Sequence, residues 1–199
     1  YESIGNALKV DFDNIKGEIT GIEERITLIL SIIETLQEYI GGNYNNLYQE
    51  NVDLKKIIEG ALKIQESSIR KNEIDIIKEF GEIQSVPIQS TKLTHILVNL
   101  IKNAIEAMEP TPVETRVLTI SLFDNAKGNP VIRIADTGVG IESANLRKVF
   151  SFGYTTKEHG HGFGLHTCAN QIKEMGGSIT VHSDGPGKGA TFTLTLAKN

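Results

Sequence analysis

The chain has 199 residues, of which 39% are hydrophobic and 23% charged, which suits one globular domain with an appendage. A net charge of -5 without a basic cluster argues against a nucleic-acid-binding surface. No apolar run has bilayer-crossing length and no signal-like segment opens the sequence, so no membrane segment is predicted. The single cysteine, Cys168, excludes an intrachain disulfide and fits packing in a reducing, cytoplasmic compartment, whether or not the parent protein is membrane-anchored.

The first part of the chain has the pattern of a long helix. Between residues 4 and 40 the apolar positions alternate at spacings of three and four, which predicts a heptad seam. A second apolar stripe in its later half indicates packing on two sides, as in a helical bundle. The glycines and asparagines at 41–46 then end the helix. We therefore predict a helical region over residues 1–46 and a separate domain over 47–199.

The second domain mixes helix and strand patterns. Asp53 is the expected cap of one helix, and further helices are predicted from about residue 91 and over 165–175. Strand patterns occur at 73–80, 86–88, 116–123, 131–135, 178–183 and 191–196. Helices on one face of a largely antiparallel or mixed sheet form an α+β sandwich, which is the predicted fold class.

The helix predicted over residues 91–108 carries polar side chains along one face. Asn99 and Asn103 lie one turn apart on it, with Lys102 and Glu106 beside them. Two neutral oxygens suit Mg²⁺, which takes few protein ligands when nucleotide phosphates supply the negative charge. The alternative is that both asparagines face water on an exposed helix.

A carboxylate follows the strand pattern at 131–135. Alternation places Asp136 on the same face as the apolar residues of that strand, so it points into an apolar layer. A buried carboxylate is costly unless it is paired, and a ligand amine is a suitable partner. Gly138 and Gly140 would allow a sharp turn and a close backbone approach to a flat ring. The alternative is an aspartate that simply starts a turn.

Three alternating glycines, Gly160, Gly162 and Gly164, directly precede the last predicted helix. Exposed backbone amides and a helix N-terminus bind anions, so phosphates are the predicted occupants, although flexible loops also collect glycine. Lys157 lies just upstream, either as a partner of the terminal phosphate or as a solvated lysine. The long stretch between the two glycine-rich segments predicts a mobile lid.

The order and spacing of these segments resemble the N, G1, F and G2 boxes of the sensor histidine kinases. The matching segments are 99–107, 136–140, 150–157 and 160–164, and 187–192 is similar to the last glycine box of that family. The resemblance extends from about residue 51 to the end of the chain. It implies the Bergerat-type ATP-binding α/β sandwich of the gyrase, Hsp90, histidine kinase and MutL superfamily, preceded by a long helix from a dimerisation bundle.

The resemblance also implies roles for single residues. Asn103 would bind Mg²⁺, and Asp136 would hold the adenine amino group. Asn99 and Lys157 would act in catalysis, close to the metal and the phosphates. The residues implied to contact ATP are Asn99, Lys102, Asn103, Asp136, Gly138, Gly140, Ile141, Phe150, Thr155, Thr156, Lys157, Gly160, His161, Gly162, Phe163, Gly164, Leu165 and Thr191.

One residue indicates which reaction to expect. Family members that hydrolyse ATP resemble one another in a glutamate four residues before the metal-binding asparagine, whereas this chain has Asn99. Loss of a general base costs roughly 10²- to 10⁴-fold in rate, so phosphoryl transfer is the predicted reaction. The first histidine is His95, inside the nucleotide domain, so the phosphoacceptor histidine and the first dimerisation helix are expected to be missing, and autophosphorylation is not expected.

The sequence is thus interpreted as the catalytic core of a two-component sensor histidine kinase. It is expected to use ATP and Mg²⁺, to form a homodimer through its N-terminal helix and to serve a response regulator receiver domain. Two alternatives remain, namely an anti-sigma-type serine kinase of the same fold and a nucleotide-gated docking module without catalysis.

Overall fold

The computed structural model describes residues 50–157 and 162–197. The chain divides into two compact units, Tyr1–Leu47 and Tyr48–Asn199. The long helix predicted over 4–40 and the segment predicted to end it lie outside the described residues. Within the described part, no helix combines the length and the apolar character that crossing a membrane requires.

The helices in the described residues are α1 (Leu54–Ile64), α2 (Glu66–Lys71), α3 (Ser90–Met108) and α4 (Gly164–Glu174), with a 3-10 turn at Val113–Thr115. The first of them starts where the sequence predicted. The side chain of Asp53 accepts a hydrogen bond from the backbone N–H of Lys55 at 3.0 Å, which satisfies a free amide of the first turn.

The strands in the described residues are β1 (Glu50–Val52), β2 (Asp75–Phe80), β3 (Val86–Ile88), β4 (Val117–Asp124), β5 (Pro130–Asp136), β6 (Ser178–His182) and β7 (Ala190–Thr195). Five of them form a sheet in the order β2-β4-β5-β7-β6. β2 and β4 pair in parallel, and the other neighbours are antiparallel. β1 and β3 form a separate antiparallel pair. This mixed sheet with its helices confirms the predicted α+β sandwich.

The core lies between one face of the sheet and the helices. The strand register aligns Ile120, Ile134 and Phe192 across three strands, and none is more than 5% exposed. α3 is buried along the predicted stripe, whose members are Leu93, Leu97, Leu100, Ala104 and Met108. Full burial of a large aliphatic side chain contributes roughly 1.5–3 kcal/mol. The stripe therefore fixes the rotation of α3 and, with it, the direction of its polar face.

Cys168 of α4 is fully buried, which confirms its predicted packing role. Its Sγ lies 4.0 Å from the carbonyl oxygen of Ile96, in the middle of α3. The two helices that carry site residues are thus packed directly against each other.

The predicted mobile lid starts with a series of hydrogen-bonded turns. The backbone N–H groups at positions 145, 148, 151 and 154 each donate to the carbonyl three residues earlier. Val149 is buried, and the ring of Phe150 packs edge-on against Phe192 with centroids 6.3 Å apart. This part of the predicted lid therefore packs against the core, and its mobility stays a prediction.

Candidate functional site

The polar face of α3 forms one wall of the candidate site. Asn99, Asn103 and Glu106 are half-buried on it, and Lys102 is exposed beside them. These side chains share one face because residues three and four apart lie above one another on a helix. The structure therefore brings together the polar residues that the sequence placed on one side of this helix.

Lys157 reaches this wall from residues 151–157, which continue the hydrogen-bonded turns and are called the Lys157 loop below. Its Nζ donates a hydrogen bond to Asn103 Oδ1 at 3.1 Å and forms an ion pair with Glu106 Oε2. Lys102 Nζ lies 3.9 Å from the other carboxylate oxygen, Oε1. The amide oxygen of Asn103 and a carboxylate oxygen of Glu106 thus both contact the ammonium group of Lys157. Because Mg²⁺ prefers such oxygen ligands, these residues fit a divalent ion held by Asn103.

Asp136 ends β5 as a buried carboxylate, with 8% of the residue exposed. Its Oδ1 accepts hydrogen bonds from the backbone N–H groups of Gly138 at 2.8 Å and Ala190 at 3.3 Å. Burial raises the pKa of this carboxyl, and the two backbone hydrogen bonds lower it in part. Among the described residues no ion pair involves Asp136 and both hydrogen bonds use Oδ1, which leaves Oδ2 for a further donor.

The loop after Asp136 is attached to the end of α3. The backbone N–H of Val139 donates to the carbonyl of Ala107, in the last turn of that helix, at 2.9 Å. A Cβ atom on Gly138 would lie only 2.6 Å from the same carbonyl oxygen. Gly140 has a φ of 73° and would clash with the backbone of Gly185 if it carried a side chain. These glycines bring the carboxylate and the polar helix face into one site.

Gly138→Ala is expected to destabilise the domain by about 1–3 kcal/mol, because the added methyl group overlaps the Ala107 carbonyl. The midpoint of urea denaturation measures this loss. Gly60→Ala is the matched control, since its methyl group enters open space on α1, where alanine is favoured over glycine by roughly 1 kcal/mol. A midpoint for Gly138→Ala as high as that of the native chain would contradict the close approach.

The second glycine segment leads into α4 beside Asn99. The backbone N–H of Gly153 donates to the carbonyl of Gly162 at 3.2 Å, which joins the Lys157 loop to this glycine segment. A Cβ atom on Gly164 would lie 2.9 Å from Asn99 Oδ1, so glycine allows α4 to begin this close to α3. Free backbone amides at a helix start attract anions, and here they lie next to the polar wall.

Other predicted contact residues surround these three features. Half-buried near the two glycine segments are Ile141, Phe150, Phe163 and Leu165, whereas Thr155 and Thr156 are exposed on the Lys157 loop. Gly160 and His161 lie outside the described residues. A neighbouring histidine, His166, places its Nδ1 3.0 Å from the carbonyl oxygen of Phe150, so it is engaged locally, as histidines near helix starts often are.

Thr191 does not join this site. The register pairs Asp136 with Ala190, and Thr191 with Ala135. Because side chains alternate between the faces of a strand, Thr191 lies on the sheet face opposite Asp136, and the ATP contact expected for its side chain does not fit this position. Ala190 lies beside the carboxylate instead. Ala190 lies two residues before the buried Phe192, so the two share one face of the strand. This alternation is the sequence signal that identifies Ala190.

An α+β sandwich that sets a buried carboxylate, an oxygen-lined helix face and glycine-rich turns around one site defines a class of nucleotide-binding domains. Residues 88–199 match the family model described as histidine kinase-, DNA gyrase B- and HSP90-like ATPase. The chain belongs to this family.

Known proteins similar to the chain are named as kinases. It is 33% identical over 158 residues to the sensor histidine kinase ZraS of Escherichia coli (strain K12), covering 77% of the chain and 32% of ZraS. It is also 33% identical over 187 residues to sporulation kinase C of Bacillus subtilis (strain 168), covering 93% of the chain and 40% of that kinase. The chain therefore spans less than half the length of these curated relatives.

Solved structures give the same picture. The catalytic domain of the histidine kinase ThkA is similar with a TM-score of 0.66 and 27% identity, over 76% of this chain and 97% of that domain. The resemblance to the sensor histidine kinases inferred from the sequence motifs is thus confirmed.

Proposed function

We propose that residues 47–199 bind Mg²⁺ and ATP and transfer the γ-phosphoryl group to a histidine, as the catalytic core of a two-component sensor histidine kinase. The observation that supports this most is the hydrogen bond between Val139 and Ala107. It joins the loop of Asp136 to the helix of Asn103. This one contact therefore sets the distance between an adenine site and a metal site. A nucleotide that spans both sites requires such a fixed distance.

Each wall of the site then has a role. The free Oδ2 of Asp136 accepts a hydrogen bond from the adenine amino group, and Asn103 holds Mg²⁺ through Oδ1. When bound, Mg²⁺ neutralises negative charge on the phosphate oxygens. The backbone amides at the start of α4 bind phosphate oxygens, and Lys157 pairs with the terminal phosphate.

Transfer is favoured over hydrolysis because of Asn99. A carboxylate at this position would activate water as a general base, whereas the neutral amide has no such capacity. The Asn99 side chain also lies against the start of α4, where a Cβ on Gly164 would meet its Oδ1. This position supports a role for Asn99 in orienting the phosphate end of the nucleotide, and not in removing a proton.

The partners and location belong to the same proposal. A response regulator receiver domain would accept the phosphoryl group from the histidine, and residues 1–46 would form the homodimer. The domain would work in the cytoplasm, where ATP is available. Since ZraS and ThkA are both named as histidine kinases, these similar proteins do not favour the serine kinase or the docking module.

The test supplies the histidine in trans. The chain is mixed with a separately produced phosphoacceptor hairpin and with ATP labelled on the γ-phosphate, in the presence of Mg²⁺. We expect label on the hairpin that is lost in acid and stable in base, as for phosphohistidine. A hairpin whose histidine is replaced by alanine is the control and should stay unlabelled.

Two outcomes would contradict the proposal. Acid-stable label on a serine of a partner protein would indicate a serine kinase. Nucleotide binding without transfer to any hairpin would indicate the docking module.

A further inference from the structure

The contact between Glu106 and Lys157 lies at the point where the proposed metal would bind. Lys157 Nζ contacts both Glu106 Oε2 and Asn103 Oδ1, the second at 3.1 Å. The two charged side chains are partly screened from solvent, with 30% of Glu106 and 47% of Lys157 exposed. No motif assigned a role to Glu106, although it lies on the same helical face as both asparagines.

The two cations cannot share the oxygen of Asn103. An ammonium group at hydrogen-bonding distance from Asn103 Oδ1 would lie next to Mg²⁺ bound to the same atom, and like charges at such short range repel strongly. Binding of the metal at Asn103 therefore requires Lys157 to leave this position. The phosphates that arrive with the metal offer Lys157 a new anionic partner.

We infer that Glu106 is a positioning residue that holds the Lys157 loop on α3 until the nucleotide arrives and then releases Lys157 to the phosphates. This inference rests on the proposed function, because it takes Asn103 as the metal ligand. Before nucleotide binds, Glu106 keeps Lys157 at the phosphate end of the site.

Lys102 provides a cation for the Glu106 carboxylate after Lys157 has moved to the phosphates. Its Nζ lies 3.9 Å from Glu106 Oε1, one helical turn away on α3. When Lys157 moves to the phosphates, Lys102 is close enough to pair with Glu106 on its own. The negative charge beside the metal site is therefore balanced before and after the exchange.

Hydrogen exchange in the Lys157 loop tests this inference. The backbone N–H groups of Gly153, Tyr154 and Lys157 are hydrogen-bonded, so their exchange rates, measured by NMR, report on opening of the loop. Without nucleotide, Glu106→Gln and Lys157→Met should each accelerate this exchange about two- to fivefold, the size typical of an exposed ion pair. The double variant should exchange no faster than either single variant, because both remove the same contact.

Two comparisons complete the experiment. Lys78→Met is the matched control, since it removes the cation of another exposed ion pair, with Glu59, but no contact with the loop, and it should leave the three rates unchanged. With saturating Mg²⁺ and ATP, the native chain and Glu106→Gln should exchange at equal rates, because Lys157 then binds the phosphates.

The outcomes separate this inference from the proposed function. If Mg²⁺ and ATP bind but Glu106→Gln leaves the loop rates unchanged without nucleotide, the role of Glu106 is wrong and the kinase proposal stands. If Glu106→Gln accelerates exchange equally with and without Mg²⁺ and ATP, the contact is purely structural and the exchange of partners is wrong. If the native chain does not bind Mg²⁺ and ATP at all, the proposed function itself fails.

Discussion

Asp136→Asn is expected to weaken ATP binding about ten- to a hundredfold. The carboxylate is buried, and its Oδ2 is the acceptor proposed for the adenine amino group. Asparagine presents an N–H donor or a neutral oxygen at that point, and a hydrogen bond to a charged group contributes roughly 1.5–3 kcal/mol. Calorimetric titration with ATP and Mg²⁺ measures the change in Kd.

The same substitution should not weaken the fold when no nucleotide is present. Burial raises the pKa of Asp136, so the folded chain holds this proton more tightly than the unfolded chain. The stability of the native chain therefore declines as the pH rises from about 3.8 to the higher pKa of the folded state, and stays level above it. Asp136→Asn lacks this decline, so its stability relative to the native chain should increase over that acidic window.

Thermal melts without nucleotide between about pH 4 and pH 8 measure this relative stability. Asp75→Asn is the matched control, because Asp75 is exposed on the opposite sheet face, and it should leave the affinity for ATP unchanged. Native affinity for ATP in Asp136→Asn would refute the adenine role. A variant that melts far below the native chain at every pH would show that the carboxylate serves the fold instead.

Asn103→Ala is expected to remove the contribution of Mg²⁺ to ATP affinity. Loss of groups that merely support a metal ligand costs about 10- to 100-fold in metal affinity, so loss of the ligand itself should cost about 100-fold or more. The measurement is the ratio of the Kd for ATP in EDTA to the Kd in Mg²⁺. In the native chain this ratio should be large, and in the variant it should approach one.

Asn51→Ala is the control for Asn103→Ala, since Asn51 is exposed on β1. It should keep the native ratio. An undiminished ratio in Asn103→Ala would assign the metal to another residue. Asn103→Ala should also lose transfer of the phosphoryl group to the hairpin, because the phosphate charge that Mg²⁺ no longer neutralises opposes the reaction.

Local periodicity predicted the parts of the site that lie on one element. The spacing of apolar residues on α3 determines which face is buried, so it also placed Asn99 and Asn103 together on the other face. The alternation along β5 likewise predicted that Asp136 points into the core. The same alternation along β7 contradicts Thr191 and favours Ala190, so that error arose from the motif resemblance and not from the strand pattern.

Contacts between distant segments were not predictable in this way. A repeat of apolar residues reveals the buried face of a strand. It does not reveal which strand lies next to it or in which direction that strand runs, so the parallel pairing of β2 with β4 could not be predicted. The pairing of Lys157 with Glu106 depends on how the loop folds back onto α3. β1 and α2 were missed because none of the side chains described in them is buried, so neither element has an apolar pattern; the equally short β3 buries Val86 and Ile88 and was predicted.

The burial of Cys168 has a practical consequence. The chain has no other cysteine, and this one is 0% exposed, so thiol-reactive dyes have no accessible target in the folded native protein. A cysteine introduced at Phe152, which is 70% exposed on the Lys157 loop, would be the sole labelled position. Fluorescence from that dye would follow the loop in real time as nucleotide is added, without any further change to the chain.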